Sequence, residues 1–501
     1  MKRKVNKTLF LLLLILTNIA LCTHFYLKTY LGDVTFFQVY FHLFNSSASG
    51  GTFTVIIGAL WHCLPLIIGL ILIEVFVFTR WKKYRVYVKS NKTKKEYDIF
   101  PTIFSKYRIT FSFIALIISI FILFDYLNFI DYLDTINSTT DIYEKYYVDT
   151  NKVNISFKGK KRNLIYIYLE SMESSLFSKD NNGAFEESRI PELEKLAKKN
   201  INFSQNNGLG GMYDIDGYTI SALVSSTSST PIAANCHNEC YKQGDLVPNV
   251  RTLGDVLTKE GYNIEIMQGS DATFAGYNKY ISQHGNQKMF DYNEAVKRKY
   301  IDKDYFVWWG YEDKKLFEYA KKEITDLSKQ KEPFAVSVIT IDTHFPDGFV
   351  DEKCEKKFDD QMSNAFSCSS KKVNDFVSWI KKQSFYDDTM IVITGDHKSM
   401  QRIYFDKATD EERKVYNVFI NSKKDNVNSK NRVITNFDIY PTVLSGLGAD
   451  IKGNRIGFGT NLFSNEKTIP EIIGFDTFKQ EKVKPSNYYD KYINSKTLKW
   501  F

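Results

Sequence analysis

Ionisable side chains follow several of the short apolar runs that are typical of buried β-strands. In chain order these side chains are Glu170, Asp342, His344, Asp396 and His397. In open α/β sheets, ligands bind just beyond the carboxyl ends of the strands. Each acid alone is more often a solvated loop residue or a helix cap. A carboxylate, an Asp-His pair and a separate histidine at strand ends indicate instead a site for Mn²⁺ or Zn²⁺, which accept oxygen and imidazole ligands.

Thr219 is the candidate nucleophile. It follows Asp216, Gly217 and Tyr218 and opens a helix-like run at residues 220–228. A threonine at a helix N-terminus lies beside unpaired backbone N–H groups and the positive end of the helix dipole, which together favour a phosphate group. The alternative is that Thr219 only caps the helix, because threonine is common at that position. The sequence pattern leaves both interpretations open.

Strand-like and helix-like segments alternate from about residue 160 onwards. The strand-like runs are β-branched or aromatic and span residues 163–169, 263–267, 334–341, 389–394 and 416–420. The helix-like stretches between and after them span residues 191–199, 251–259, 313–327, 370–382 and 437–447. This alternation predicts an α/β domain with a mostly parallel, buried central sheet.

Three apolar runs precede residue 126 and predict transmembrane helices at about residues 9–27, 53–78 and 107–125. Buried core helices are the alternative for each run. Three runs in succession without amphipathic periodicity favour membrane spans, and with their flanks they reach the roughly 17–20 residues that a span needs. A cleaved signal peptide is a further alternative for the first run, but two more spans follow it.

Charge is distributed unevenly along the chain. Residues 1–108 contain 15 Lys and Arg against four Asp and Glu, whereas the whole chain has a net charge of +8, so residues 109–501 are slightly acidic at −3. This distribution argues against nucleic acid as a partner. Ten of the basic residues lie between the second and third spans, at residues 80–108. By the positive-inside rule, this loop and the N-terminus face the cytoplasm, and everything after about residue 126 faces outward.

Four of the six cysteines form two close pairs in the outward-facing part, Cys236 with Cys240 and Cys354 with Cys368. In an oxidising exterior both pairs are predicted to be disulfides. A zinc site at residues 236–240 is the alternative for the first pair, because the spacing of CHNEC fits zinc ligands. No second pair with ligand spacing lies nearby in the sequence, which favours the disulfide.

Four short motifs together resemble a known family. They are LES at residues 169–171, GYT at 217–219, DTHFPDGF at 342–349 and GDH at 395–397. This set is similar to the membrane-bound phosphoglycerol and phosphoethanolamine transferases of the sulfatase/alkaline-phosphatase superfamily, which include lipoteichoic acid synthase. The resemblance extends over roughly residues 160–465, with the motifs in the family's order and spacing, and it is strongest to the phosphoglycerol transferases.

The resemblance implies roles for the residues that match the family's motifs. Glu170, Thr219, Asp396 and His397 match its four ligands of one divalent metal, with Mn²⁺ as the first choice and Zn²⁺ or Mg²⁺ as alternatives. Thr219 also matches the nucleophile that accepts the phosphorylated head group, and His344 matches the histidine that contacts the transferred phosphate. Further candidates for substrate contact are Gln268, Asp271 and Trp309. For Asp271 and Trp309, the favoured alternative is an ordinary place in loops and core.

The function that the resemblance implies is transfer of a phosphoglycerol head group from phosphatidylglycerol to a cell-surface or periplasmic glycan through a covalent phospho-threonine intermediate. One alternative is a phosphoethanolamine transferase that acts on lipid A or a surface glycan. A non-enzymatic alternative is a membrane sensor whose exterior domain only binds a ligand. A sulfatase is disfavoured because no CxPxR-type motif surrounds Thr219, and a two-metal phosphatase because no histidine follows His397.

The predicted organisation has four parts. They are a membrane anchor at residues 1–126, a linker at 127–160, a sulfatase-like catalytic domain at 161–465 and a tail at 466–501. The predicted location is the bacterial inner (cytoplasmic) membrane, crossed several times, with the catalytic domain facing the periplasm or the cell exterior. The sequence indicates no particular oligomeric state.

Overall fold

The chain divides into two compact units. A computed structural model describes residues 2–31, 34–45, 50–79, 85–90, 93–98, 106–215, 217–232, 246–409, 412–424 and 428–494. The N-terminal unit comprises Met1–Tyr40 and Gly51–Leu133, and the C-terminal unit comprises Phe41–Gly50 and Asp134–Phe501.

The first 137 residues are mainly helical. Their helices are α1 (Lys2–Tyr26), α2 (Phe36–Asn45), α3 (Gly50–Thr79), α4 (Arg108–Tyr126) and α5 (Phe129–Asn137). Between α3 and α4 lies a hairpin of two antiparallel strands, β1 (Arg85–Ser90) and β2 (Thr93–Asp98). The basic loop predicted between the second and third spans therefore contains regular structure.

Three helices of the N-terminal unit are long and apolar enough to cross a membrane. The candidate spans are Asn6–Tyr30, Ile57–Phe78 and Arg108–Tyr126, judged by length and composition. They coincide with the three predicted apolar runs, which confirms three apolar N-terminal helices. Inside this unit Asn18 Nδ2 donates a hydrogen bond to Glu74 Oε2 at 2.8 Å. Such polar contacts between apolar helices add to the packing that holds them together in lipid.

The C-terminal unit is built on a seven-stranded sheet. Its strands are β4 (Asn163–Leu169), β5 (Gly211–Met212), β6 (Asn263–Gln268), β7 (Lys288–Phe290), β8 (Phe334–Ile339), β9 (Thr389–Gly395) and β10 (Val415–Ile420). In space their order is β5-β10-β9-β4-β8-β6-β7. The five strands from β9 to β7 run parallel, whereas β10 is antiparallel to both of its neighbours. The sheet is therefore mostly parallel, as predicted.

The C-terminal unit also contains helices. They are α6 (Ile142–Tyr146), α7 (Pro191–Lys199), α8 (Thr219–Ser228), α9 (Leu253–Lys259), α10 (Tyr277–Gln283), α11 (Tyr292–Lys297), α12 (Asp313–Leu327), α13 (Gln361–Ile380), α14 (Ile439–Gly446), α15 (Ile469–Ile473) and α16 (Phe475–Glu481). Side chains at 165, 167 and 169 of β4 pack with apolar residues of α7, α12 and α13 in one large buried cluster. Strands β4 and β9 are almost wholly buried, which explains their unbroken apolar sequence.

Small antiparallel pairs complete the C-terminal unit. The strands are β3 (Ile155–Phe157) with β11 (Ala449–Ile451), and β12 (Arg455–Ile456) with β13 (Gly459–Thr460). Strand β3 lies in the stretch predicted as a linker, and helices α15 and α16 lie in the stretch predicted as a tail. Both stretches thus contain regular structure, while the domain boundaries themselves stay predictions.

The secondary-structure predictions hold closely, with one clear difference. All five strand-like runs are strands, and the predicted helices at residues 191–199 and 313–327 match α7 and α12 residue for residue. The helix predicted at 370–382 instead begins at Gln361, because the Asp360 side chain accepts a hydrogen bond from the Ser363 N–H and caps it there. This earlier start places Cys368 inside α13, where it forms a disulfide with Cys354. The predicted Cys236–Cys240 pair lies outside the described residues.

Candidate functional site

The register of β4 and β9 brings two acidic residues side by side. Leu169 pairs with Gly395 in the parallel ladder, and the Asp396 N–H continues the ladder to the Leu169 carbonyl at 3.1 Å. Glu170 and Asp396 therefore leave adjacent strands at the same edge of the sheet. Gly395 is required here, because a Cβ at this position would lie 2.0 Å from the Met172 carbonyl oxygen.

Four side chains from three elements meet at this edge. Donor atoms of Glu170, Asp396 and His397 lie within 4.8 Å of one another, and all three residues are buried. Thr219 Oγ1, at the start of α8, lies 3.2 Å from His397 Nε2 and 3.4 Å from Glu170 Oε2. His397 Nε2 is also 3.6 Å from Glu170 Oε1 and 3.5 Å from Asp396 Oδ2. The structure thus brings together the four residues that the sequence singled out as metal ligands.

This cluster fits a divalent metal ion in spacing and in unmet bonding capacity. Ligands at about 2.1 Å around a tetrahedral ion lie about 3.4 Å from each other, which is close to the observed separations. Asp396 Oδ2 is buried and accepts no hydrogen bond from the described residues. His397 Nδ1 donates to the Lys398 carbonyl at 2.8 Å, which leaves the Nε2 lone pair facing the cluster. These three features together are those of a metal-binding group.

The pKa values of the clustered residues also favour a metal-binding site. Burial raises the pKa of Asp396 to about 7, and the charge of Glu170 contributes to the rise. Burial also acts to raise the pKa of Glu170, but His344 and His397 outweigh it and leave that pKa below its usual value. Burial acts to lower the pKa of His397, whereas Asp396 and Glu170 raise it overall to about 9. Without a metal, the cluster therefore holds protons that a cation would displace.

These pKa values predict how metal binding depends on pH. Folded, metal-free protein keeps protons on Asp396 up to about pH 7 and on His397 up to about pH 9. The unfolded chain releases them at lower pH, so the stability of the metal-free protein falls as the pH rises from 5 to 9. Bound metal removes these protons, so stabilisation by Mn²⁺ should grow over the same pH interval. At a free Mn²⁺ concentration one hundred times Kd, it amounts to about 2.7 kcal/mol.

Thermal unfolding of the full-length protein at pH 5.5 and pH 8, with and without Mn²⁺, measures this effect. The melting temperature should rise more with Mn²⁺ at pH 8 than at pH 5.5. An Asp396→Asn variant is the control, because it lacks the titrating carboxyl group and should show a smaller difference between the two pH values. An Mn²⁺ effect that is larger at pH 5.5 would contradict the protonation of these two ligands.

Residues that the sequence analysis did not single out support the cluster. Ser171 donates its N–H to Asp396 Oδ1 at 2.8 Å and its hydroxyl to Glu170 Oε1 at 2.6 Å. Asp214 accepts N–H groups from Gly217 and Lys398, and thereby ties the loop before Thr219 to the loop after His397. Ser171 belongs to the LES motif at residues 169–171, whereas the only sequence feature that points to Asp214 is its nearness to Thr219.

A buried ion pair supports the loop that follows Asp396 and His397. Arg413 forms a bidentate ion pair with Glu173, in which Arg413 Nε lies 2.9 Å from Glu173 Oε2. The same carboxylate accepts the Ser399 N–H at 2.8 Å, and Arg413 donates to the Ser399 carbonyl at 2.7 Å. Both charged residues are buried, with Glu173 0% exposed and Arg413 7% exposed. The pair therefore fixes the backbone two residues beyond His397.

Thr219 lies where a helix leaves backbone donors open. It is the first residue of α8, and the first backbone bond back into this turn is donated by Ala222 to Tyr218. Within the described residues, the N–H groups of Thr219 and of the next two residues therefore make no bond of the α-helical ladder. Thr219 is partly exposed, unlike the three buried residues beside it. A hydroxyl group at the open, positive end of a helix is accessible to an anionic phosphate.

The predicted substrate-contact residues divide into two groups. The Trp309 ring packs on the ring of His344 with centroids 4.5 Å apart, and both residues are half-buried. His344 Nδ1 donates to the Phe345 carbonyl at 2.8 Å, which leaves Nε2 for a ligand. Gln268 is buried and donates to the Ser270 carbonyl, while Asp271 accepts bonds from Thr273 in a local turn. Within the described residues, no hydrogen bond joins Gln268 or Asp271 to the metal-type cluster.

Comparison with known proteins fits this geometry. The sulfatase family profile matches residues 162–449, which is more than half of the chain. The chain belongs to the sulfatase family. The match begins just before β4 and ends at the first residue of β11, so it includes all seven strands of the central sheet and the four clustered residues.

The relatives of this sulfatase-family chain include transferases. Phosphoglycerol transferase I from Shigella flexneri is 31% identical over 330 residues, an alignment that covers 64% of this chain and 41% of the relative. The protein of that name from Escherichia coli (strain K12) is 30% identical over the same length and shares. The crystal structure of the lipoteichoic acid synthase LtaP from Listeria monocytogenes has a TM-score of 0.50 at 21% identity, covering 63% of this chain and 80% of that one. This last likeness concerns the fold alone.

The chain matches less than half of the length of the two named relatives. The aligned part is 41% of each. Their activity as whole proteins is therefore not transferred directly.

Proposed function

We propose that this protein is a metal-dependent phosphotransferase that moves a phosphoglycerol head group from phosphatidylglycerol to a glycan. The observation that carries the proposal is the position of Thr219 Oγ1. It lies 3.2 Å from His397 Nε2 and 3.4 Å from Glu170 Oε2, at the open N-terminus of α8. A hydroxyl group beside a metal-type cluster and helix donors is suited to attack phosphorus. The relatives named phosphoglycerol transferase I support the choice of the transferred group.

In this proposal Glu170, Thr219, Asp396 and His397 hold one divalent ion, with Mn²⁺ as the first choice. Bound there, such an ion lowers the pKa of the threonine hydroxyl and offsets negative charge on the phosphoryl oxygens. Mn²⁺ accepts a ligand set of carboxylate and hydroxyl oxygens with one imidazole. Zn²⁺ or Mg²⁺ can also bind this set, so they are the alternatives. Asp396, whose buried Oδ2 accepts no hydrogen bond from the described residues, is the residue most dependent on the ion.

The transfer proceeds in two displacements. First, Thr219 Oγ1 gives up its proton and bonds to the phosphorus of the lipid, the bond from phosphorus to the diacylglycerol oxygen breaks, and that oxygen takes up one proton in exchange. Next, a glycan hydroxyl gives up its proton and bonds to the same phosphorus, the bond to Thr219 Oγ1 breaks, and the threonine oxygen takes up one proton. His344 contacts the phosphate through Nε2 and is the candidate proton donor to the leaving oxygen. Trp309, packed on His344, limits how that ring can turn.

The proposed setting is the bacterial inner membrane, with the sheet domain on its outer side. Three candidate spans in the N-terminal unit and the basic residues at 80–108 support this topology through the positive-inside rule. A phospholipid donor would then come from the same membrane that holds the protein, and the acceptor would be a periplasmic or cell-surface glycan. Gln268 and Asp271 stay predicted substrate contacts, and no particular substrate group is assigned to them.

Mass spectrometry of the full-length protein in detergent tests the proposal. The protein is incubated with Mn²⁺ and equal amounts of phosphatidylglycerol and phosphatidylethanolamine, with no glycan present, so that the first displacement is not followed by the second. The expected result is a phosphoglycerol adduct on the peptide that contains Thr219, absent when a chelator replaces Mn²⁺. A phosphoethanolamine adduct would support the alternative transferase, and lipid binding without any adduct would support the sensor.

A further inference from the structure

Asp342 lies in a conspicuous motif, yet its side chain does not take part in the metal-type cluster. Its Oδ1 accepts the Asp313 N–H at 3.1 Å, while Asp313 Oδ2 accepts the Asp342 N–H at 3.2 Å. Asp313 Oδ1 also accepts the Ile341 N–H at 2.8 Å. Both carboxylates are buried, with exposures of 1% and 0%. This exchange joins the start of α12 to the loop that leads, two residues later, to His344.

Lys372 provides the positive charge for this buried pair. Its Nζ donates to Asp342 Oδ2 at 2.8 Å and to Asp351 Oδ2 at 2.6 Å, and its side chain is only 13% exposed. On α13, Lys372 follows Cys368 by one helical turn, so both project from the same face. Cys368 is bonded to Cys354, which lies three residues after Asp351. One face of α13 therefore holds the segment after β8 by an ion pair and by a disulfide.

The charges around Asp342 depend on this lysine. Burial raises the pKa of Asp313 well above its usual range, and Asp342 raises it further. Burial also raises the pKa of Asp342, against which Lys372 acts most strongly. Glu312 and Lys314 are the other charged neighbours, and they act on Asp342 and Asp351 respectively. Among the described residues, Lys372 supplies the one side-chain cation that is hydrogen-bonded to Asp342.

The loop that carries His344 closes on Asp342. The Phe349 N–H donates to the Asp342 carbonyl at 2.6 Å, and the Gly348 N–H donates to the His344 carbonyl at 3.1 Å. Gly348 lies against α13, because a Cβ at this position would be 2.6 Å from the Ala365 Cβ. A shift of Asp342 would therefore move both ends of the loop and change the position of the His344 ring.

We propose that Lys372 is a positioning residue, which holds His344 in place for the substrate phosphate by fixing Asp342 at the base of its loop. The importance of His344 rests on the proposed function, whereas the contacts that fix the loop do not. Small displacements of a group that orients a substrate can cost about a hundredfold in rate, so the effect on transfer should be large even though Lys372 touches no substrate.

Adduct formation on Thr219 in full-length protein tests the effect on the reaction. In a Lys372→Met variant, the rate should fall by about 10- to 100-fold, while the rise in melting temperature caused by Mn²⁺ stays as in the wild type. Lys371→Met is the matched control, because Lys371 is an exposed neighbour on the same helix and its loss should leave the rate unchanged. Lys372→Arg, which restores a cation, should recover most of the rate.

Hydrogen exchange provides a readout that is independent of transfer. The backbone amides at residues 342–349 should exchange about tenfold faster or more in Lys372→Met than in Lys371→Met, with the amides of β4 and β9 unchanged. Unchanged exchange together with a wild-type rate would overturn the proposal, and so would a loss of the Mn²⁺ effect that parallels the loss of rate. If the wild type forms no adduct, the proposed function fails while exchange still decides on Lys372.

A milder variant keeps the test valid if Lys372→Met does not fold. Asp351→Asn removes one of the two negative charges that pair with the ammonium group but leaves the bond between Lys372 and Asp342. It should speed the exchange of residues 342–349 and slow adduct formation by less than Lys372→Met does. Wild-type behaviour in both measurements would count against a role for this buried ion pair in holding the loop.

Discussion

A Thr219→Ala variant should lose transfer by about 10⁴-fold or more, because removing the proposed nucleophile leaves only binding and electrostatic contributions to catalysis. The methyl side chain also removes an oxygen that lies 3.4 Å from Glu170 Oε2 and 3.2 Å from His397 Nε2. Metal affinity should therefore fall as well, although three of the four proposed ligands remain. Rates of transfer to a glycan and Mn²⁺ titration, both on full-length protein, measure the two effects.

Thr219→Ser and Thr227→Ala are the controls for this prediction. Serine keeps the hydroxyl group and should retain activity within about tenfold of the wild type, since the attacking atom and its metal contact are preserved. Thr227 lies on the same helix, where its hydroxyl bonds to Tyr280, and its loss should leave transfer unchanged. Substantial glycan modification by Thr219→Ala would refute a covalent intermediate on this residue.

The second large effect is expected at the buried pair of Arg413 and Glu173. Replacing Arg413 with methionine leaves a fully buried carboxylate without its cation, which costs about 3–5 kcal/mol in comparable cases. The loss includes the bond from Arg413 to the Ser399 carbonyl. Hydrogen exchange of the β10 amides in full-length protein should report this loss of stability. Mn²⁺ affinity should fall too, because Ser399 lies two residues after a proposed ligand.

Removing both charges separates the cost of an unpaired carboxylate from other effects. The double variant Arg413→Met with Glu173→Gln has no buried charge left at these two positions. It should therefore be more stable than Arg413→Met alone. Lys407→Met is the surface control, because Lys407 is exposed and its replacement should change stability by less than about 0.5 kcal/mol. A double variant as unstable as the sum of the two single variants would show that the pair acts by packing instead.

The parts of the fold that the sequence predicted are those with a local cause. Strand β9 and helix α12 are fixed by runs of apolar residues and by helical spacing, both of which are visible in any short window. Glu170 and Asp396 could be placed near each other because the carboxyl ends of parallel strands meet at one sheet edge. Thr219 could be nominated because a threonine at the start of a helix has backbone donors beside it, but the pattern alone left a simple helix cap equally open.

What the sequence did not reveal depends on contacts between distant segments. Arg413 and Glu173 are 240 residues apart, and neither lies in a recognisable motif. Asp342 lies in the most conspicuous motif, but its buried partners come from α12 and α13, so its direction could not be inferred from DTH alone. The earlier start of α13 depends on a single cap at Asp360, which a pattern of apolar spacing does not register.

The separation of the metal-type residues along the chain has a consequence for how the protein matures. The Ser171 N–H and Asp396 Oδ1 are hydrogen-bonded across 225 residues of sequence, and they meet only through pairing of β4 with β9. A nascent chain that has been synthesised as far as α12 contains Glu170 and Thr219 but neither Asp396 nor His397. If the proposed topology and metal site hold, the ion is therefore acquired after export, from the metal pool outside the cytoplasm.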